Sequence, residues 1–279
     1  MRKFNEPCIK TGDFAKLCNT NKRTLFHYDE IGLFSPAYTD AKGYRYYTES
    51  QCDVFFTINC LKELGMPLKE IKKYVDHRNP SDLKRLLEEQ KGKVDRELEH
   101  LKRMEHVIQT KLELITIGEK IQFDGRLSEV ILEDHPREYF IATERLDTDD
   151  HGRLFHAICR HISYCNHEQL NTGHPYGAIL DVACLKAGKT DIYAHFVTKV
   201  AEPPRQCGYL VKPEGEYAVV YLRGNYYEAE EAYERLFCYI ERHGLTPGEF
   251  CYKEAIWDEM AVRSEEDYLT KISIPVKRP

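Results

Sequence analysis

The chain has 279 residues, enough for two compact domains and a connector. Hydrophobic residues make up 42% of it and charged residues 31%, and no apolar run is long enough to cross a membrane. The N-terminus, MRKFNEPCIK, has no apolar signal-peptide core, so we expect a cytoplasmic protein without membrane contact.

Cysteines and charge narrow the class further. The ten cysteines are scattered without a CxxC pair, which is typical of reduced thiols in a chain that is not exported. Residues 1–79 carry 13 Lys and Arg against 10 Asp and Glu, a net charge of +3, which leaves −9 for the remaining chain. A basic N-terminal segment followed by an acidic remainder fits a small nucleic-acid-binding module joined to a domain that does not bind nucleic acid. Ordinary variation of charge along a chain could give the same difference.

The first elements predict a helix-turn-helix. Residues 12–18 place apolar side chains at helical spacing, and Asn19-Thr20-Asn21 is a polar turn. Asn21 is a good N-cap for a second helix from Lys22 to about Asp29. In this motif the first residues of the second helix enter the major groove of DNA.

A wing follows, with a turn at Lys42-Gly43 and a β-prone run, Tyr44-Arg45-Tyr46-Tyr47. Helices at about 50–62 and 68–76 would pack under it. The alternative to DNA contact is a purely structural role. The basic residues would then lie on a solvated helix face, and the tyrosines would alternate between core and surface in a hairpin. The interleaved basic and aromatic residues favour DNA contact, with these candidates: Lys22, Arg23, Thr24, His27, Tyr28, Tyr44, Arg45 and Tyr47.

The segment RTLFHYDEIGLFSPAYTDAKGYRYY (residues 23–47) resembles the MerR family of transcription regulators, whose members typically read RTLRYYDEIGLL…P…GYRYY. The resemblance implies a winged helix-turn-helix over residues 1–79 that binds double-stranded promoter DNA as a homodimer, together with RNA polymerase. Phe26 and His27 depart from the family's Arg and Tyr, which removes one expected contact to the DNA backbone.

A long helix is predicted from Pro80 to Gly118. Apolar residues recur every seven positions, with two more between them, and form an apolar seam along the helix. The seam consists of Leu87, Val94, Leu98, Leu101, Ile108, Leu112 and Ile115. Lys91 and Glu105 interrupt it. Residues 80–119 therefore form an antiparallel coiled-coil dimerisation helix, as the family resemblance implies, or a helix packed on its own C-terminal domain. Two-fold symmetry would call for a pseudo-palindromic operator. Residues 100–130 hold no Cys, which excludes a thiolate metal or iron–sulfur sensor there.

Residues 120–279 predict an α+β domain in which a β-α-β-β unit occurs twice. The first unit consists of strand 137–146, helix 151–165 and strands 176–185 and 191–200, and the second of strand 216–223, helix 226–243 and strands 250–258 and 267–277. Such units can pair into one antiparallel sheet with helices on one face. The junction between them is a natural place for a ligand pocket.

Three segments of this domain, HPYGAIL, GEYAVVYLRG and SEEDYLTKISIPV, resemble the GyrI-like effector-binding domain. With the MerR-like head, this indicates the BmrR-like, multidrug-responsive branch. The resemblance implies lipophilic, often cationic ligands held between aromatic walls with a buried carboxylate. It also implies activation by distortion of an over-long promoter spacer, with efflux transporters as common targets.

Glu254 lies in the strand that usually provides this acid, and strand alternation puts it on one face with Tyr252 and Ile256. A shift of one residue would bring Lys253 to the pocket instead and favour an anionic ligand. The candidate aromatic walls are Tyr176, Tyr226, Tyr227, Trp257 and Tyr268. The alternative is that these rings pack in the core of the domain.

Enzyme and metal functions are less well supported. His156, Cys159 and His161 cluster near one helix, but no acid completes a metal-ligand set. Because phosphate-binding Gly loops and H-E-x-x-H are missing, we expect neither metal nor cofactor, and no catalytic residue. The sequence predicts a ligand-responsive activator. The alternatives are a metabolite-responsive repressor and a GyrI-like hydrolase that uses Glu254.

Overall fold

The computed structural model describes residues 7–170, 172–204 and 208–278. It divides into two compact units, Met1–His100 and Leu101–Pro279. The limits of the three predicted segments, 1–79, 80–119 and 120–279, remain predictions. In the described ranges no helix is both long and apolar enough to cross a membrane.

The first unit contains four short helices and a small antiparallel sheet of order β1-β3-β2. In chain order these are β1 (Ile9–Lys10), α1 (Thr11–Leu17), α2 (Lys22–Glu30), β2 (Tyr38–Thr39), β3 (Arg45–Tyr47), α3 (Ser50–Glu63) and α4 (Leu68–Asp76). As predicted, Asn21 caps α2 by accepting a hydrogen bond from the Thr24 amide at 2.8 Å.

The core of the first unit is rich in aromatic side chains. Phe14 of α1 stacks on Tyr47 of β3 with ring centroids 4.5 Å apart, and Phe34 stacks on Tyr47 at 5.6 Å. Phe55 of α3 meets Phe34 edge-on at 5.5 Å. These contacts bury large apolar areas and fix the wing strand against the helices.

Helix α5 runs without a break from Pro80 to Lys120, two residues past the predicted end at Gly118. Gly118 is therefore not a stop signal. A Cβ atom there would lie 2.4 Å from the indole of Trp257, so this glycine allows Trp257 to lie against the helix.

The second unit is built on one large antiparallel sheet of order β4-β9-β12-β11-β6-β7-β5-β8, with β10 paired to β12. Its strands are β4 (Ile131–His135), β5 (Glu138–Ala142), β6 (Tyr176–Asp181), β7 (His195–Val200), β8 (Leu210–Lys212), β9 (Gly215–Arg223), β10 (Thr246–Pro247), β11 (Phe250–Trp257) and β12 (Leu269–Lys277). Its further helices are α6 (His151–His167), α7 (Val182–Lys186), α8 (Glu230–Arg242) and a 3₁₀ turn at Glu265–Asp267.

The predicted repeat is confirmed. β5-α6-β6-β7 and β9-α8-β11-β12 each form a β-α-β-β unit, and the two halves join where β6 pairs with β11 in the middle of the sheet. Helices α6 and α8 pack on one face of the sheet. The opposite face carries a second apolar cluster that includes Leu114 of α5.

Several boundaries differ from the prediction. The second half of the predicted strand 176–185 is the short helix α7, because the chain turns at Asp181 and leaves the sheet. The sequence analysis missed β4 and β8, which extend the two halves of the sheet beyond β9 and β5. Both are short, so their alternation of polar and apolar residues is too brief to recognise.

Candidate functional site

The exposed face of α2 carries the predicted basic residues of the first unit. Lys22, Arg23 and His27 are exposed. Thr24 is half-buried, and both its amide and its hydroxyl donate to Oδ1 of Asn21, at 2.8 and 3.2 Å. The first turn of the helix therefore presents two exposed cationic side chains next to a fixed cap, an arrangement suited to phosphate contact.

Arg45 of the wing is tied to α2. Its Nε donates to Asp29 Oδ2 at 2.8 Å, and its guanidinium lies 4.7 Å from the centroid of the Phe26 ring. Phe26, which departs from the family's Arg, thus supports the wing arginine by a cation–π contact. About a third of the Arg45 side chain stays exposed, so it can still reach a phosphate.

Two of the predicted DNA contacts are wrong as side-chain contacts. Tyr28 is 2% exposed and Tyr47 is fully buried, and both belong to the core of the first unit. Their apolar rings are needed to pack α2 and β3 on the other helices. Tyr44 is 64% exposed at the tip of the wing and remains a candidate.

The sequence analysis also missed two basic residues. Lys10 and Lys16 line a groove with Lys22, Tyr44 and Tyr46, between the helices and the wing. The position of Lys10 directly before α1 was the available signal, because it places a cation next to the first helix.

In the second unit, a cavity opens at the junction of the two repeats. All five predicted aromatic walls line it, and so do Tyr193 and Phe196, which the sequence analysis had left in a strand. The space amounts to about 660 Å³ including the open mouth.

The aromatic rings come from both halves of the repeat. Tyr193 stacks on Phe196 with centroids 5.4 Å apart on the side of the first half. Tyr226 stacks on Tyr268 at 6.0 Å on the side of the second. A hydrogen bond between the hydroxyls of Tyr176 and Tyr226, at 3.4 Å, joins the two sides. Planar apolar ligands could lie between these walls.

The strand residue that lines this cavity is Lys253 and not Glu254, and Asp258 and Glu259 line it as well. Lys253 is 5% exposed, and its Nζ lies 5.8 Å from the centroid of the Tyr193 ring. Burial lowers its pKa to about 8. Among the residues that the structure describes, no carboxylate forms an ion pair with it, and the attraction of Glu230 and Asp191 only partly offsets the effect of burial.

Glu254 lies on the opposite face of the sheet, because successive residues of β11 alternate. It shares that face with Tyr252 and Ile256, as predicted. The expectation that Glu254 joins the five aromatic walls is nevertheless wrong, because the cavity takes Lys253 from β11, and its rings Tyr176, Tyr193 and Phe196 belong to the apolar cluster of the helix-bearing face. A role for Glu254 in ligand binding would require the second cavity described next.

The second cavity is lined by a network of buried charges. Lys212 Nζ lies 2.6 Å from Glu254 Oε2 and 3.1 Å from Glu138 Oε2, and Lys199 pairs with Glu138. Burial raises the pKa of Glu254, but the attraction of Lys212 and Lys199 outweighs it and holds that pKa far below its usual range. This carboxylate therefore stays ionised and is already neutralised.

The histidine and cysteine cluster of α6 has a structural use. His161 is 5% exposed, and its Nε2 lies 2.9 Å from the hydroxyl of Thr198 on β7. In the described ranges, no three His, Cys, Asp or Glu side chains converge in a way that could hold a metal ion.

Comparison with known families agrees with both halves of this geometry. Residues 9–78 match the MerR HTH family regulatory protein model, residues 57–111 match the MerR DNA-binding model, and residues 130–277 match the GyrI-like small molecule binding domain. These matches define a transcription regulator that responds to a small-molecule ligand.

Relatives extend over nearly the whole chain. It is 36% identical over 267 residues to the multidrug-efflux transporter 2 regulator of Bacillus subtilis (strain 168), covering 96% of each protein. It is 27% identical over 286 residues to the multidrug-efflux transporter 1 regulator of the same organism, covering 98% of this chain and 99% of the relative. A cryo-EM structure of an EcmrR–DNA complex aligns with 97% of this chain and 100% of its own, at 22% identity and a TM-score of 0.43. The chain belongs to the MerR HTH family of regulatory proteins, and the predicted membership is confirmed.

Proposed function

We propose that this protein is a homodimeric transcription activator that binds a lipophilic small molecule in the aromatic cavity and acts on the promoter of a multidrug-efflux gene. The observation that carries the proposal is the seven-ring cavity at the junction of the two repeats. The relative that shares 36% identity over almost the whole chain regulates a multidrug-efflux transporter, as its name states, which supports the choice of target.

The cavity suits a ligand recognised by shape and stacking more than by many hydrogen bonds. Aromatic rings on both sides offer large apolar surfaces that accept differently shaped compounds. The protein's response to the ligand requires that the compound bind one state of the dimer better than the other.

The dimer is supported by the apolar seam of α5. Its side chains are largely exposed in the single chain, for example Leu101 at 51%, Ile108 at 57% and Leu112 at 55%. An apolar stripe of this length on a charged helix needs an apolar partner. A second copy in antiparallel orientation would cover it and set two DNA-binding heads on a pseudo-palindromic operator.

We assign DNA binding to residues 1–79, dimerisation to residues 80–119 and ligand binding to residues 120–279. Lys22, Arg23 and Arg45 would position the head on phosphates. The dimer would bend and untwist an over-long promoter spacer so that RNA polymerase can engage both promoter elements, which is a form of indirect readout.

A hydrolase role is not favoured by the geometry. A general base works best with a pKa near the operating pH, whereas Glu254 is paired with Lys212 and its pKa is held low. Repression in response to a metabolite is the other alternative, and the experiment below distinguishes it from activation.

The test combines ligand binding with transcription. Trp257, the only tryptophan of the chain, lines the aromatic cavity, so its fluorescence reports on ligands that enter it. Aromatic lipophiles without strong absorption of their own would be titrated into the full-length dimer, and in vitro transcription from its own promoter would be measured with each. Tyr226→Ala removes a cavity wall, and Phe155→Ala removes a 65% exposed ring of α6 as a matched control.

We expect quenching of Trp257 and an increase in transcript with the same compounds, both weakened about tenfold or more by Tyr226→Ala and unchanged by Phe155→Ala. A decrease in transcript would favour the repressor. Chemical conversion of the compound would favour the hydrolase. Equal effects of the two substitutions would show that the ligand binds elsewhere.

A further inference from the structure

Two lysines are almost completely buried in the part of the chain that the structure describes, Lys212 and Lys253. They lie on opposite faces of the same sheet, and they differ in whether carboxylates lie next to the ammonium group. Lys212 forms ion pairs with two carboxylates, whereas Lys253 faces the ring of Tyr193 and forms no ion pair with any carboxylate of the described residues. Because ligands meet these charges, the difference determines which ligand charge each cavity accepts.

Lys212 occupies the kind of environment that binds organic cations. Its Nζ lies 2.6 Å from Glu254 and about equally far, 5.2 and 5.1 Å, from the ring centroids of Tyr217 and Tyr252. A carboxylate and two aromatic faces are the groups that would attract an ammonium ligand. The chain's own lysine already fills this cage, so a cationic ligand would first have to displace it.

Lys253 has the opposite requirement. An ammonium group buried without an acidic partner is destabilised, and it gains most from a ligand that brings a negative charge or a strong acceptor. It lies in the middle of the sheet, where β11 pairs with both β6 and β12, so its backbone is fixed. The cavity therefore has apolar walls and one fixed positive charge.

The acids near the cavity do not reverse this charge. Asp258 and Glu259 line it, and Glu230 and Asp191 act on Lys253 without forming an ion pair and less strongly than burial does. Asp258 pairs with Lys111 at 3.4 Å, and Glu259 is exposed, so water screens it.

We propose that the aromatic cavity selects lipophilic organic anions, with Lys253 as the counter-charge, and that Lys212 excludes organic cations from Glu254 on the other face. The proposal rests on the ligand site proposed above and adds the charge of the ligand to it. This proposal is the opposite of the expectation from the sequence, which favoured a cationic ligand.

The test uses three compounds with one ring system and one bulky substituent but different charge: 4-tert-butylbenzoate, 4-tert-butylbenzyl alcohol and 4-tert-butylbenzylammonium. Binding to the full-length protein is followed by Trp257 fluorescence and by calorimetry. Lys253→Met keeps an unbranched side chain, one atom shorter, and removes its charge. Lys186→Met removes an exposed lysine of the same unit and controls for net charge.

We expect the benzoate to bind about tenfold or more tightly than the alcohol, and the ammonium compound to bind most weakly. Lys253→Met should bring the benzoate down to the affinity of the alcohol and leave the alcohol unchanged, whereas Lys186→Met should change neither. Equal affinity for the three compounds, or a benzoate preference that survives Lys253→Met, would overturn the charge selection while the cavity stays the ligand site. Failure of all three compounds to bind, or a preference for the ammonium compound that Tyr226→Ala leaves intact, would overturn both proposals.

Discussion

Replacing Lys253 by Met is expected to stabilise the second unit. Lys253 is 5% exposed and unpaired among the described residues, and burial lowers its pKa from 10.5 to about 8. One pKa unit corresponds to about 1.4 kcal/mol, so keeping the charge buried costs about 3 kcal/mol. Methionine fills similar space without a charge and removes that cost.

The pH dependence gives the prediction its sign. At pH 7 Lys253 is protonated in both the folded and the unfolded chain, so the full cost is present in the wild type. As pH rises from about 8 towards 10.5, the folded protein loses its proton first, the unfolded chain binds more protons, and the wild type gains stability. The advantage of Lys253→Met should therefore be largest at pH 7 and shrink as pH approaches 10.5.

Other ionisable groups near Lys253 should not hide this effect. Tyr193 faces it, and Cys251, Asp191 and Glu230 act on it more weakly than burial does. All four are present in both the wild type and the variant, so their titration cancels to first order in the difference between the two proteins.

Urea unfolding followed by Trp257 fluorescence is the assay, because this tryptophan reports on the second unit alone. Lys212→Met is the contrasting variant. It leaves Glu254 without its ion-pair partner and Glu138 with Lys199 alone, and it should cost about 3–5 kcal/mol. If Lys253→Met were neutral or destabilising at pH 7, or if its advantage did not change with pH, Lys253 would not be an uncompensated buried charge.

Three further predictions concern the first unit and the connector. Tyr47→Phe should leave DNA affinity unchanged and stability within about 1 kcal/mol, because the buried Tyr47 hydroxyl has no hydrogen-bond partner among the described residues, whereas a loss of DNA affinity would return Tyr47 to the interface. Lys22→Ala and Arg23→Ala should each weaken DNA binding and reduce the slope of log affinity against log salt by about 1, measured by fluorescence anisotropy, and an unchanged slope would remove that residue from the phosphate contacts. Ile108→Glu should convert the dimer to monomers in sedimentation experiments, and a persistent dimer would place the interface outside the α5 seam.

Much of the first unit could be predicted because its signals are local. The cap at Asn21, the turn at Gly43 and the start of α3 at Ser50 follow from residues within a few positions of each other. The burial of Tyr28 and Tyr47 could not be predicted in the same way. It depends on Phe14, Phe34 and Phe55, which reach these rings from distant parts of the chain.

The second unit shows where sequence reasoning reached its limit. The repeat and five aromatic walls were predicted, but Tyr193 and Phe196 were not, because an aromatic residue in a strand is usually part of a core. The turn at Asp181 that creates α7 depends on a backbone contact from Val182 to Glu249, which has no local signal. Lys212 was missed because it lies in a three-residue strand, and its partners Glu138 and Glu254 are far away in sequence.

The choice between Lys253 and Glu254 shows the same limit at a single position. Strand alternation places two neighbouring residues on opposite faces, and the sequence could predict that much for β11. The register shift of β11 falls between Ala255 and Trp257, after both residues, so the alternation through Lys253 and Glu254 is intact. The loops before α8 and β12 carry aromatic residues that cover one face of the sheet. The face that they cover decides which charged residue of β11 lines the cavity. Those residues, Tyr226 and Tyr268, stand on the face of Lys253, and Lys212 reaches Glu254 on the other. Ligand charge in this protein is therefore a property of how the two repeats join, and a single strand does not determine it.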